Sequence, residues 1–184
     1  MTTTELVLLG VLVAIPVAMA MEPWARLLHG RVWHHALWRI HRSHHSHRHG
    51  RFEANDALSA AHAPIAAVLV MVGCNLHGPA AAITIGIGAG MTLFGISYVV
   101  VHDGLVHGRL PVGFLARSAW LRRIRKAHRI HHARGAAPYG LFLGPRELTR
   151  APHARGGRPI EPPTSARVRA VPPDTRSDGG HRSA

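Results

Sequence analysis

Cysteine is almost missing from this sequence. The single residue Cys74 permits no intrachain disulfide and removes thiolate metal clusters from consideration. Acidic residues are also scarce. Nine Asp and Glu stand against 22 Lys and Arg in 184 residues, giving a formal charge of +13, so few carboxylates are on hand to serve as a general base. Aromatic residues make up only 5% and no nucleic-acid module pattern occurs. The positive charge is therefore assigned to an anionic membrane surface, and nucleic acid is not an expected partner.

Charge is missing from long stretches too. Residues 6–21 and 80–101 carry no charged side chain, and residues 57–76 are interrupted only by His62. A spanning helix needs about 20 apolar residues, so three spans are expected, at about 4–21, 57–76 and 80–101. A cleaved signal peptide is the alternative for the first block, but residues 1–5 carry Glu5 and no Lys or Arg, unlike a basic n-region. Buried core helices are the alternative for the other two. The short connector "HGP" favours a membrane hairpin instead, and Gly86, Gly88, Gly90 and Gly95 would let its helices approach closely. Lys and Arg gather in residues 22–56 and beyond 102, while the N-terminus and "HGP" have none. The positive-inside rule then puts both basic segments in the cytoplasm. The fold class expected is all-α: an integral membrane bundle whose cytoplasmic helices carry a histidine-rich dimetal site. Residues 1–150 form the membrane domain. Residues 151–184, rich in Pro, Gly, Arg and Ser, read as a disordered basic tail.

What the sequence has in quantity is histidine, 17 in all. Ten fall into a repeated pattern. His29 and His34 are spaced H-x-x-x-x-H, and His41, His44 and His45 are spaced H-x-x-H-H. His102 with His107, and His128 with His131 and His132, repeat both spacings. Residues three and four apart share a helix face, so each H-x-x-H-H aims its imidazoles one way. His29 does not join that face in a straight helix, which predicts a bend near Gly30. Two such copies facing each other would supply more donors than one ion takes, so two ions sharing the set is the economical reading. Neutral imidazole suits Fe, Zn, Cu and Ni, and ligand type alone does not choose among them. Asp103, Asp56 and Asn55, with Glu53, are candidates to stand behind the ligands, the carboxylates accepting an imidazole N–H. Asn55 and Tyr98 are also candidates to line an approach. His35, His47 and His49 read as residues behind the ligands or facing solvent, His62 and His77 as span ends, and His153 and His181 as tail residues.

The stretches "HGRVWHHALWRIHRSHH", "RFEANDALSA", "GISYVVVHDGLVHGRLP" and "AHRIHHA" resemble the fatty acid hydroxylase superfamily of membrane non-haem iron enzymes. Within it they are most similar to the β-carotene hydroxylase branch, and "HDGLVH" is the most specific of the matching runs. The resemblance covers about residues 29–148. It implies a di-iron centre held by the ten histidines, dioxygen as co-substrate and electrons from a ferredoxin-type donor. It also implies hydroxylation of β-ionone rings, taking β-carotene through β-cryptoxanthin to zeaxanthin. After His132 the chain reads "ARGAAPYGLFLGP", where the family usually has a longer, aromatic-bearing stretch. Other readings are a relative acting on a fatty acyl chain, a sterol or another carotenoid, and a histidine-rich metal-binding or transport protein. A transporter would place ionisable groups at mid-membrane, and the third block has none. The basic run around Trp120 reads as a segment on anionic lipid, or as a face that attracts an acidic donor.

Overall fold

The computed structural model describes residues 1–46 and 52–150. His47, His49, His153, His181 and the expected tail lie outside the described residues. The described residues are all helical or irregular, with no strand among them. The order is α1 (Thr3–Leu28), a π-turn (His29–Trp33), α2 (Trp38–His45), α3 (Asn55–Ala60), α4 (Ala63–Cys74), α5 (Gly78–Tyr98), a second π-turn (Val99–Val106), a 3₁₀ turn (Gly113–Arg117), α6 (Ala119–Arg134) and α7 (Gly144–Arg150).

Among the described residues, three helical runs are long and apolar enough to cross a membrane: Thr3–Trp33, Asn55–Cys74 and Gly78–Val106. The first outruns its apolar block because helix formation does not stop where hydropathy does. Thr2 and Glu5 close a capping box at its start, and the chain stays helical through Glu22 and Arg26 into the π-turn. Val7, Leu8, Val11, Leu12, Ile15 and Met19 lie exposed along α1, as lipid-facing side chains do.

α5 packs along both α1 and α4. A Cβ on Gly86 would lie 2.6 Å from the Gly10 carbonyl oxygen, and one on Gly90 2.5 Å from that of Ala14. On the α4 side, a Cβ on Gly88 would lie 2.8 Å from the Ala66 carbonyl oxygen. These three glycines bring backbones together as small residues do in lipid. Gly95 does not: a Cβ there meets nothing within 4 Å, because α5 faces a cavity at that level.

At the histidine end, α6 lies over the π-turn that follows α5, with Ile124, Val101 and Leu141 as its core. Ser118 caps the start of α6 by accepting from the Leu121 N–H. Gly135 ends it in the left-handed conformation, φ +61°, and donates to the His131 carbonyl at 2.8 Å. The stop falls three residues after the last ligand candidate, so the chain turns straight back over the site.

Candidate metal centre

The H-x-x-x-x-H spacing is explained by the π-turns. In an α-helix, residues five apart point about 140° away from each other. In both π-turns the bond closes over five residues: His34 N–H donates to the His29 carbonyl at 3.1 Å, and His107 N–H to the His102 carbonyl at 3.0 Å. The wider turn sets both rings of each pair over one face, and π-turns are a recurrent device at functional sites. The bend expected near Gly30 takes this form. Gly30 is needed for a second reason, since a Cβ there would sit 2.7 Å from the Tyr139 ring.

The structure brings all ten histidines together, but not as two intact copies. Ligand atoms of His29, His34, His41, His45 and His131 lie within 4.8 Å of one another, and so do those of His44, His107, His128 and His132. His102 adjoins the second group, its Nε2 3.1 Å from that of His44. The central histidine of each H-x-x-H-H has therefore crossed over. His44 leaves His41 and His45 for the second group, and His131 leaves His128 and His132 for the first. The i, i+4 pair of each helix stays together, while the i+3 residue diverges just enough to reach across.

The donor set fits metal. Nε2 faces Nε2 at 3.1 Å for His29 and His41, 3.2 Å for His45 and His41, and 3.2 Å for His34 and His131. In the second group the separations are 3.1 Å for His44 and His102, 3.3 Å for His107 and His128, and 2.9 Å for His132 and His128. Two nitrogens bound to one ion at about 2.0–2.1 Å sit about 2.9–3.4 Å apart. For the His29–His41 and His44–His102 pairs a hydrogen bond cannot account for the approach, because all four rings place Nδ1–H on an acceptor and a neutral ring so protonated offers only a lone pair at Nε2.

Nδ1–H is directed outward wherever an acceptor is seen. His29 donates to the Tyr139 carbonyl at 2.8 Å, His41 to Asn55 Oδ1 at 2.7 Å and His131 to the Ala136 carbonyl at 2.8 Å. His44 donates to Glu53 Oε2 at 3.0 Å and His102 to Asp103 Oδ1 at 2.8 Å. Such partners fix the tautomer and leave Nε2 free to ligate. Asp103 and Asn55 thus sit behind ligand candidates. Asp56 does not touch a ring in this way: it accepts from the Glu53 backbone N–H at 2.9 Å and from Arg109 at 2.7 Å. An aspartate three residues after Glu53 on a turning chain reaches backbone and guanidinium before it reaches an imidazole.

Burial lowers the pKa of seven clustered imidazoles outside the spans, and neighbouring imidazoles add to the effect for most. His34 and His132 are pushed down to about 3, His131 to about 4 and His45 to about 2, with His41, His44 and His128 shifted the same way. All are therefore neutral near pH 7, the state a metal requires. His35 is exposed and outside the cluster, and His62 and His77 lie at helix starts.

Several supporting groups carry no histidine signal. Trp33 packs against His29 and His41, and Tyr98 stacks on His102 with centroids 4.5 Å apart. The Tyr139 and Ala136 carbonyls come from the run after His132 that departs from the expected aromatic pattern. Two acids hold that run: Glu147 accepts from the Tyr139 and Gly140 N–H groups, and buried Glu22 accepts from the Leu143 N–H at 2.8 Å. Glu22 and Glu147 were legible as acids but not as loop clamps, because their partners are backbone groups 121 and 7 or 8 residues away.

A cavity of about 550 Å³ is lined by residues that back both groups: Trp33, which packs on His29 and His41, and Tyr98 and Asp103, which contact His102. Met21 and Leu28 of α1 and Phe94 and Tyr98 of α5 form its apolar wall, and Asp103 and Arg109 its polar end.

The fatty acid hydroxylase family model matches residues 13–145. "Beta-carotene hydroxylase" of Pseudescherichia vulneris is 38% identical over 158 residues, covering 83% of this chain and 88% of that protein. "Beta-carotene hydroxylase 1, chloroplastic" of Capsicum annuum and "Beta-carotene 3-hydroxylase 1, chloroplastic" of Arabidopsis thaliana are each 45% identical over 137 residues, covering 73% of this chain. The chain spans 44% of the length of either plant protein. No solved structure matches it.

Proposed function

This chain belongs to the fatty acid hydroxylase family, and from that membership we propose that it is a membrane monooxygenase that hydroxylates carbon 3 of the β-ionone rings of β-carotene. The product series is β-cryptoxanthin and then zeaxanthin. Each turnover inserts one oxygen atom into a ring C–H bond. The second oxygen atom leaves as water, with two electrons and two protons supplied from outside.

The observation that carries this reading is the placement of two imidazole groups at one end of three apolar helices, beside an apolar cavity. We assign one iron to His29, His34, His41, His45 and His131, and a second to His44, His102, His107, His128 and His132. Iron held there supplies the dioxygen chemistry that no side chain possesses, whereas zinc has no redox chemistry to offer in the same cage. The protein's part is to present neutral imidazoles in one tautomer, to exclude water and to position the ring. Met21, Leu28, Phe94 and Tyr98 offer a wholly apolar ring an apolar wall, and the remaining polyene extends into lipid.

Electrons come from a separate carrier of the ferredoxin type. Arg122, Arg125, Lys126 and Arg129 are exposed on α6, away from buried His128 and His131, and would attract an acidic protein. The Lys and Arg bias supports a cytoplasmic position for this end of the molecule. The test is expression in a host that accumulates β-carotene, with pigment analysis. Zeaxanthin and β-cryptoxanthin are expected. Unchanged β-carotene in cells holding folded, iron-loaded protein refutes the substrate assignment.

A further inference from the structure

The two imidazole groups face different supports. Around the first, every acceptor seen on an Nδ1–H is uncharged: the Tyr139 and Ala136 carbonyls and the Asn55 amide oxygen. Around the second, the acceptors seen are carboxylates, Glu53 on His44 and Asp103 on His102. These two carboxylates come from separate segments of the chain, one before α3 and one within the second π-turn. Left alone they would repel each other across the site.

One cation lies between them. Arg109 Nη2 is 2.8 Å from Glu53 Oε1, and Nη1 is 2.7 Å from Asp56 Oδ1 and 3.7 Å from Asp103 Oδ1. The Arg109 side chain is only 12% exposed, so water screens these pairs weakly. A guanidinium is planar and offers donors in a fixed fork, which lets one residue hold several oxygens at set angles; an ammonium cannot.

We propose that Arg109 is a positioning residue for the second metal alone, acting through Glu53 and Asp103, and that the two metals are inequivalent because of these supports. The proposal rests on the two-ion reading above. A carboxylate acceptor makes an imidazole a more basic ligand than an amide or carbonyl acceptor does. His44 and His102 are therefore the stronger donors while the guanidinium keeps both carboxylates aimed. With Arg109 replaced, Glu53 and Asp103 swing apart, both rings lose their orientation, and the second group weakens. The first group keeps its own supports, since Tyr139, Ala136 and Asn55 make no hydrogen bond or ion pair with Arg109 among the described residues.

The experiment uses the full chain purified in detergent and loaded with ⁵⁷Fe, following metal release by a chelator and recording Mössbauer spectra. Unaltered protein should hold two irons giving two quadrupole doublets of equal area. Arg109→Gln should release one iron at about 10- to 100-fold lower chelator, the range for loss of an outer partner, and disturb one doublet only. Arg109→Lys should fall between, because it keeps the charge without the fork. Asn55→Ala, which removes the support of His41, should disturb the other doublet. If Arg109→Gln does not fold, Glu53→Gln tests the same link at His44 with the same readouts. Two irons released in parallel from these variants, or a single doublet from the unaltered protein, overturns the proposal. Fewer than two irons per unaltered chain overturns the two-ion reading instead.

Discussion

Gly90 and Gly95 lie on the same helix and should respond to alanine with opposite signs. At Gly90 an added Cβ would meet the Ala14 carbonyl oxygen at 2.5 Å and Val17 Cβ at 2.8 Å. One neighbour is backbone, so no rotamer change relieves the contact, and α1 and α5 must part by most of an ångström. Overpacking of this kind costs about 1–3 kcal/mol. Alanine returns up to about 1 kcal/mol of helix propensity, leaving a net loss centred on about 1 kcal/mol, within about 0–2. For a chain of this size a loss of about 1 kcal/mol lowers the melting temperature by about 2–4 °C. At Gly95 nothing lies within 4 Å, so only the propensity gain remains and the melting temperature should rise by about 2–4 °C. Gly86→Ala meets the Gly10 carbonyl oxygen one turn along the same seam. Combined with Gly90→Ala it should cost less than the sum, because one separation relieves both contacts. The assay is thermal unfolding in detergent, followed by loss of the monodisperse peak. A Gly90→Ala protein as stable as the parent would refute the close α1–α5 seam. With it would go the packing that sets the His29 and His102 turns side by side.

Three further outcomes are expected. Alanine at His44 should empty the second group and alanine at His131 the first, with zeaxanthin yield falling by more than the 10- to 100-fold expected for Asp103→Ala; iron lost instead from each residue's own motif partners would sink the crossover. The buried imidazoles have folded pKa values below the ordinary 6.5, with His131 near 4 and His34 near 3, so below that value the unfolded chain binds more protons. Stability of iron-free protein should hold above about pH 6.5 and fall steadily as the pH drops toward 4, whereas iron-loaded protein should resist to lower pH; a flat apo profile down to pH 4.5 contradicts the neutral cage. Glu147→Gln weakens the hold on the Tyr139 and Gly140 N–H groups and breaks the 3.0 Å pair with Arg26. Because Tyr139 orients His29, iron affinity should fall about 10- to 100-fold at the first group, and unchanged chelator release would show that the loop holds itself.

Local order was legible in the sequence because it follows from periodicity. The apolar blocks mark three spans, and the H-x-x-H-H runs mark helix faces. The His29–His34 spacing marks a departure from a straight α-helix, expected as a bend near Gly30, and its form as a π-turn is set by the structure. Asp103 could be read from its place beside His102. Asp56 could not be told from Glu53 in the same way: both are acids on one short turning segment, and only the path of that segment decides which reaches His44.

Long-range partnership was not legible. Spacing along a helix states where a ring points relative to its own axis, and nothing about which foreign ring it will meet. The exchange of His44 and His131 between groups therefore depends on how α2 and α6 are set against the two π-turns. The Tyr139 and Ala136 carbonyls were hidden for another reason: every residue has a carbonyl, so no side-chain pattern announces the one that orients a ligand. The sequence by itself determined an all-helical membrane chain and the ten imidazoles that converge at one end. Only the tertiary structure decided their division into two groups and the different supports behind each, because those depend on distances between segments that no local periodicity encodes.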